Sequence, residues 1–430
     1  MESTLAGGLV SQALSRTFRG YSGNLELRMW DGTRLRFGEG PTRAIVAMRD
    51  ARAFRDLVLF RDPLRLAHAF FTGRIDVEGS IYEALRVKDH LASVSLSLRD
   101  RLLIAAGALL AGSPSARGRA PAARPLEAPR GTRGNSRRSI GFHYDVSNAF
   151  YALWLDPAMV YSCAYFDSAA DSLERAQARK LEVICRKLAL APGESLLDIG
   201  CGWGALVIHA ASRHGVRAHG ITLSREQRDF ARARIAELGL GHLATVELAD
   251  YRDLEGDACY DKIASVGMFE HVGLKNLPRY FSIAHRLLKP GGLFLNHGIT
   301  SREPGWEKTV STRFINRYVF PDGELDSVAN IQRAMEAADF EILHVESLRA
   351  HYALTLRHWV GRLEAHREAA VLEVGESAYR VWRLYMAACA LQFEEGDTGV
   401  YQILLARAGE STCGRGVGAR VRSLEEGRAS

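Results

Sequence analysis

Leu196-Leu197-Asp198-Ile199-Gly200-Cys201-Gly202-Trp203-Gly204 decides the fold of this 430-residue chain. An apolar run enters the stretch, an acid stands next to the end of that run, and three glycines alternate through the turn. Ala205 to Arg213 then read as a helix. Strand, glycine turn and helix in that order bring backbone against a nucleoside-type ligand in a doubly wound α/β sheet. Glycine tolerates positive φ and places no Cβ in the ligand's way.

The choice of ligand depends on where the acid lies. A nicotinamide site reads G-x-G-x-x-G and places an acid at the end of the following strand. Here the glycines fall at 200, 202 and 204, and the next strand, about Val216 to Ile221, runs into Thr222-Leu223-Ser224 without an acid. The acid sits inside the first strand instead, at Asp198. This favours the S-adenosylmethionine (SAM) version of the fold, with a dehydrogenase or a purely structural glycine turn as the alternatives.

Outward from the turn, Leu173 to Leu190 reads as a helix, and strands recur near 194–199, 216–221, 244–249, 260–266 and 292–299. Further strands near 340–347 and 401–407 suit an antiparallel ending. The fold class is therefore α/β: a Rossmann-like seven-stranded sheet of SAM-methyltransferase type with helical insertions at about 303–337 and 354–395. Ahead of it lies a small α+β domain. Residues 21–38 alternate apolar and polar around Asp31-Gly32, which predicts a hairpin. Ile45 to Met48 suits a strand, and Ala51–Thr72 and Tyr82–Ala111 read as helices. The expected domains are 1–111, serving lipid binding or dimerisation; a basic linker, 112–138; a methyltransferase domain, 139–409; and a tail, 410–430. The linker carries seven arginines against Glu127 and lacks the apolar content to fold alone.

Composition narrows the class further. Hydrophobic residues make up 47% of the chain and the net charge is +6, as in a mildly basic globular protein. The six cysteines form no C-x-x-C pair, which speaks against a zinc site or disulfide framework and for a reducing cytoplasm. No export signal is visible, and the longest apolar run, Leu102 to Ala111, is too short to span a bilayer. Membrane contact is therefore expected to be peripheral, and a basic linker alone gives little reason to expect a nucleic-acid partner.

Several motifs follow one another in order: His143-Tyr144-Asp145, Tyr161-Ser162-Cys163-Ala164-Tyr165-Phe166, the glycine turn, Ile221-Thr222-Leu223-Ser224, Asp250-Tyr251-Arg252-Asp253, Gly267-Met268-Phe269-Glu270-His271-Val272-Gly273 and His297-Gly298-Ile299. Together they resemble the cyclopropane-fatty-acyl-phospholipid synthase family, including its mycolic-acid relatives, strongly over about 140–407. The resemblance implies a SAM-dependent enzyme that adds a methylene unit to the cis double bond of unsaturated phospholipid acyl chains at the inner membrane surface. SAM would be held by Tyr161, Ser162, Asp198, Gly200, Gly202, Gly204, Thr222, Ser224, Gln227, Asp250 and Tyr251. A bicarbonate beside the transferred methyl would be held by Cys163, Glu270, His297, Ile299 and Tyr352. Tyr318 or Phe269 would offer an aromatic face to the developing cation. The apolar stripe Tyr379, Trp382, Tyr385, Met386, Cys389 and Phe393 suits helix core or an acyl channel. One departure stands out: family members often read His-Thr-Ile where this chain has His297-Gly298-Ile299. That opens the alternative of a methyl or methylene branch as product, beside the alternative of an inactive lipid- or SAM-binding protein.

Overall fold

Asp31 and Gly32 turn the chain between β1 (Leu25–Arg28) and β2 (Arg34–Phe37), which pair antiparallel in the computed structural model. The Asp31 carboxylate accepts from Thr33 N at 2.9 Å and closes the turn. The structure describes residues 11–50 apart from 13, then Ala53, 63–93, 147–306, 312, 318–319 and 323–408. The segment 112–138, the tail 410–430, the run 102–111 and the His143-Tyr144-Asp145 motif lie outside the described residues.

Two units divide the chain. The first holds β1 and β2, β3 (Ala44–Met48), α1 (Pro63–Phe71), β4 (Ile75–Gly79) and α2 (Ile81–Ser93), with sheet order β2-β1-β3-β4. Leu25, Leu27 and Met29 face a core shared with Leu14, Phe18 and Val87. Strand β4 was not expected from sequence, because it spans only five residues and offers just two apolar positions, Ile75 and Val77. Ala370–Ala388 also belongs to this unit, so the span expected as one domain, 139–409, is shared between the two. Two buried arginines show why. Arg380 donates to the Phe70 and Ile75 carbonyls, both at 3.1 Å, and pairs with Asp76 at 3.2 Å. Arg383 donates to the Val77 and Gly79 carbonyls. A buried guanidinium is tolerable only with its donors satisfied, and β4, the Phe70 carbonyl of α1 and Glu376 together meet them. Tyr379, Trp382, Tyr385 and Met386 are buried on the same segment.

The second unit opens with α3 (Asn148–Ala152) and α4 (Leu173–Lys187), then alternates β5 (Ser195–Ile199), α5 (Ala205–His214), β6 (Arg217–Thr222), α6 (Arg225–Glu237), β7 (Ala244–Leu248), β8 (Tyr260–Val266), α7 (Leu277–Leu287) and β9 (Leu288–Ser301). After α8 (Val328–Glu336) come β10 (Phe340–Ser347), α9 (Arg349–Ala365), α10 (Arg367–Glu395) and β11 (Thr398–Arg407). Helix α10 is interrupted at Gly375, where φ is 80°. The sheet order is β7-β6-β5-β8-β9-β11-β10, with β11 antiparallel to both of its neighbours and the first five strands of the order parallel. This is the predicted seven-stranded α/β architecture. Strand β5 is almost wholly buried, as a central parallel strand covered on both faces must be. The chain leaves β5 towards β6 on one side and returns to β8 on the other. That reversal opens a crevice at the strand carboxyl ends, where ligands of open α/β sheets bind.

Candidate active site

A cavity occupies that crevice. It is lined by Asp198, Gly200 and Gly202 from the end of β5, by Thr222 and Gln227 around the end of β6, by Asp250 and Tyr251 after β7, and by Tyr161 and Ser162 from the approach to α4. Sequence reasoning therefore brought nine of its eleven SAM-binding candidates to one cavity wall. Thr222 donates to Gln227 Oε1 at 2.7 Å, which orients the carboxamide. Tyr251 packs edge-on against Tyr280, and Arg252 lies 5.8 Å from the Tyr251 ring centroid. Asp250 caps its own short turn, accepting from Arg252 N at 3.0 Å, and both of its oxygens also receive the Arg252 guanidinium.

The other two candidates make contacts within the fold. Ser224 does not line the cavity; its hydroxyl caps α6, accepting from Gln227 N at 3.3 Å. Gly204 starts α5 with φ 82°, and a Cβ there would come within 2.9 Å of Ala231 Cβ, so its smallness admits α6.

The same cavity contains a buried charge that sequence reading missed. Lys180 is 2% exposed, lines the cavity and donates to Ser162 Oγ at 2.9 Å. Burial brings its ammonium down to about 8, against the pull of Asp156, Cys163 and Asp198. Burial likewise raises Asp198 to about 7, and Lys180 opposes that rise. Asp198 Oδ1 has no hydrogen-bond partner. A signal for Lys180 was present: Leu173, Ala176, Gln177, Lys180, Leu181 and Ile184 recur at helical spacing on the buried face of α4. Trp203 also lines the cavity, its indole N–H donating to Asn148 Oδ1 at 2.7 Å.

The second predicted cluster lies beyond the lining residues of this cavity, and a chain of bonds connects its members. Glu270 sits in a single 3-10 turn, Phe269–His271, after β8. Its Oε1 accepts from Ile299 N at 2.7 Å, which ties it to β9 two residues from His297. Ile299 pairs in register with Val400 of β11, and the Val400 carbonyl accepts from Leu348 N at 2.8 Å. The Leu348 carbonyl in turn accepts from Tyr352 N at 3.0 Å and from Cys163 Sγ at 3.7 Å. Tyr352 packs on Phe393, with ring centroids 4.7 Å apart.

The electrostatics of this cluster come mainly from burial. It pushes Glu270 up to about 7, pulls His297 well below its ordinary 6.5, and pushes the Cys163 thiol far up. The thiol stays protonated at neutral pH and is no nucleophile. Glu270 Oε2 and His297 Nε2 are buried without a hydrogen-bond partner. Two such atoms are costly unless something polar meets them. The pair suits a small oxyanion: a neutral imidazole can donate from Nε2, and a carboxyl group near 7 can carry a proton to donate. Phe269, one of the two rings expected to face the cation, is 2% exposed and packs within the apolar core, close against Gly298.

Comparison with known proteins agrees with this fold. The model of the family described as mycolic acid cyclopropane synthetase matches residues 132–403. A probable fatty acid methyltransferase of Pseudomonas putida is 39% identical over 385 residues, covering 89% of this chain and 92% of that protein. The cyclopropane-fatty-acyl-phospholipid synthase of Escherichia coli K12 is 41% identical over 269 residues, 63% of this chain and 68% of that one. Among solved structures, the mycolic acid cyclopropane synthase CmaA1 complexed with SAH and CTAB superposes with a TM-score of 0.60 at 34% identity, covering 63% of this chain and 98% of that chain.

Proposed function

This chain belongs to the mycolic acid cyclopropane synthetase family and is a SAM-dependent methyltransferase, and we propose that it adds a methylene unit to the cis double bond of unsaturated phospholipid acyl chains, closing a cyclopropane ring. The observation that carries this reading is the buried, unpartnered pair Glu270 Oε2 and His297 Nε2, tied through Ile299 to the strand ends that flank the SAM cavity.

The alkene π pair attacks the sulfonium methyl, a C–C bond forms as the C–S bond breaks, and positive charge is left on the other alkene carbon. A proton then leaves the new methyl, and its C–H pair closes the ring. Holding the two reactants in line removes most of the entropic part of the barrier. The residues present fit a bicarbonate, which when bound supplies the base for that proton. His297 would donate to it from Nε2, and Glu270 would face it with Oε2. Ile299, which the family resemblance assigns to the anion site, donates from its backbone N to Glu270 here and so sets the carboxyl group's orientation. Cys163 and Tyr352 border the cluster through Leu348. The SAM cavity would hold the sulfonium while Lys180 and Asp198 balance one another's charge.

Among the described residues no helix is long and apolar enough to cross a membrane. We place the enzyme at the cytoplasmic face of the inner membrane as a peripheral protein, with the arginines of 112–138 attracted to anionic phospholipid and the N-terminal unit serving lipid binding or dimerisation. The second reading, a fatty-acyl methyltransferase leaving a methyl or methylene branch, is favoured by the likeness to the probable fatty acid methyltransferase of Pseudomonas putida. One experiment tests both. Purified protein is incubated with methyl-deuterated SAM and vesicles of monounsaturated phosphatidylethanolamine, and the lipid is read by mass spectrometry and proton NMR. High-field ring methine protons on chains that keep two of the three deuterons support the ring. A retained trideuteromethyl, or two retained deuterons without ring methine protons, supports the branch. SAM binding with no label in lipid refutes both.

A further inference from the structure

We propose that Gln402 is a positioning residue that fixes His297 as the tautomer carrying its proton on Nε2. The proposal rests on the assignment of His297 to the reaction site. Gln402 is fully buried on β11 and stands directly opposite His297 of β9 in the antiparallel register. Its two ends are chemically distinct, and its neighbours decide which end points where. Lys187 Nζ lies 2.6 Å from one end, and an ammonium can only donate, so that end is Oε1. The amide nitrogen therefore faces His297 Nδ1, at 3.2 Å. An amide N–H can only donate, so Nδ1 must accept, and in a neutral ring the proton then resides on Nε2.

The arrangement is anchored from outside. Lys187 also donates to Glu346 Oε2, and Glu346 Oε1 accepts from Tyr165 Oη at 3.0 Å. Tyr165 and Lys187 thus both donate to Glu346, and from Lys187 the donation runs on through Gln402 to His297. Protonating both ring nitrogens would set N–H against N–H, and the ammonium groups of Lys180 and Lys187 oppose it further. The other tautomer would set N–H against the Gln402 amide and turn a lone pair towards the site. A lone pair repels an anion where an N–H would hold it.

Gln402→Glu tests this with little change of shape. A carboxylate accepts from Lys187 with one oxygen and from Nδ1–H with the other, so the proton moves to Nδ1 or the ring becomes charged. Gln402→Met keeps similar bulk, removes the bias, and serves if the Glu variant folds poorly. The tautomer is read by nitrogen-15 NMR of histidine-labelled protein, with the His297 signals assigned by their loss in His297→Ala. The expected result is Nε2–H in the parent, Nδ1–H or imidazolium in Gln402→Glu, and both tautomers in Gln402→Met. Turnover should fall by roughly tenfold to a hundredfold, by analogy with the loss of the outer partner of a metal-bound histidine, while the SAM dissociation constant holds. A parent proton on Nδ1, or a tautomer unmoved by either substitution, overturns the proposal whatever the activity. A moved tautomer with full turnover overturns it as well. Full turnover in His297→Ala would place the fault in the assignment of the site, separately from the tautomer readout.

Discussion

Gly298→Ala should be costly out of proportion to one methyl group. A Cβ at 298 would lie 1.8 Å from Phe269 Cε1, 2.3 Å from Cδ1 and 2.8 Å from Cζ. Carbon atoms in ordinary contact sit about 3.5–4.0 Å apart, so the ring must retreat by roughly 1.7 Å. It has little room, because it is 2% exposed and part of the core beneath the β5 and β8 ends. Overpacking of this kind costs about 1–3 kcal/mol. In a domain of this size each kcal/mol lowers the melting temperature by roughly 2–4 °C. Phe269 also precedes Glu270, so a displaced ring shifts the carboxyl group bonded to Ile299 N. Differential scanning calorimetry of the parent, Gly298→Ala, Phe269→Ala and the double variant measures the coupling. Phe269→Ala alone should cost about 3–5 kcal/mol. The double variant should be no less stable than Phe269→Ala, because the new methyl enters the space the ring leaves, giving about 1–3 kcal/mol of favourable interaction. An unchanged melting temperature in Gly298→Ala, or two substitutions whose costs simply add, would refute the packing argument.

Three further outcomes follow from the site. Burial raises Glu270 from the ordinary 4.5 to about 7, so the folded state holds a proton that the unfolded chain has lost. Its stabilising effect is complete below pH 4.5 and fades as pH rises to about 7, amounting to about 3 kcal/mol; urea titrations of Glu270→Gln across that window should show a flatter pH dependence than the parent, and an identical slope would count against it. Ser224→Ala should lower stability by about 1 kcal/mol through loss of the α6 cap, with SAM affinity by calorimetry essentially unchanged; a selective loss of affinity would return Ser224 to the ligand. Lys180→Met removes the cation opposing the rise of Asp198 and the donor to Ser162, so SAM binding should weaken by about tenfold, or 1.4 kcal/mol, and undiminished binding would remove Lys180 from the site.

Local chemistry settled much of this protein in advance. The run into Gly200, the hairpin at Asp31-Gly32 and the seven alternating strands were legible because turn chemistry and burial period act over a few residues. Most of the cavity lining was legible too, since the loops after β5, β6 and β7 directly follow strands whose carboxyl ends point to the crevice. What needed the tertiary structure joins distant segments. Gln402 meets Lys187 across 215 residues and His297 across 105, and no local pattern marks a glutamine on a strand as the partner of either. The antiparallel pairing of β11 with β9 sets them opposite one another, and a one-residue slip would turn Gln402 to the other face. Ser224 reads from sequence as a ligand contact, and only the folded chain shows its hydroxyl capping α6. Gly298 reads as a small gap in a familiar motif, and only the folded chain shows Phe269 lying where its side chain would be. Periodicity announces which face is buried, but what a buried polar atom meets is decided by elements that arrive from elsewhere in the chain.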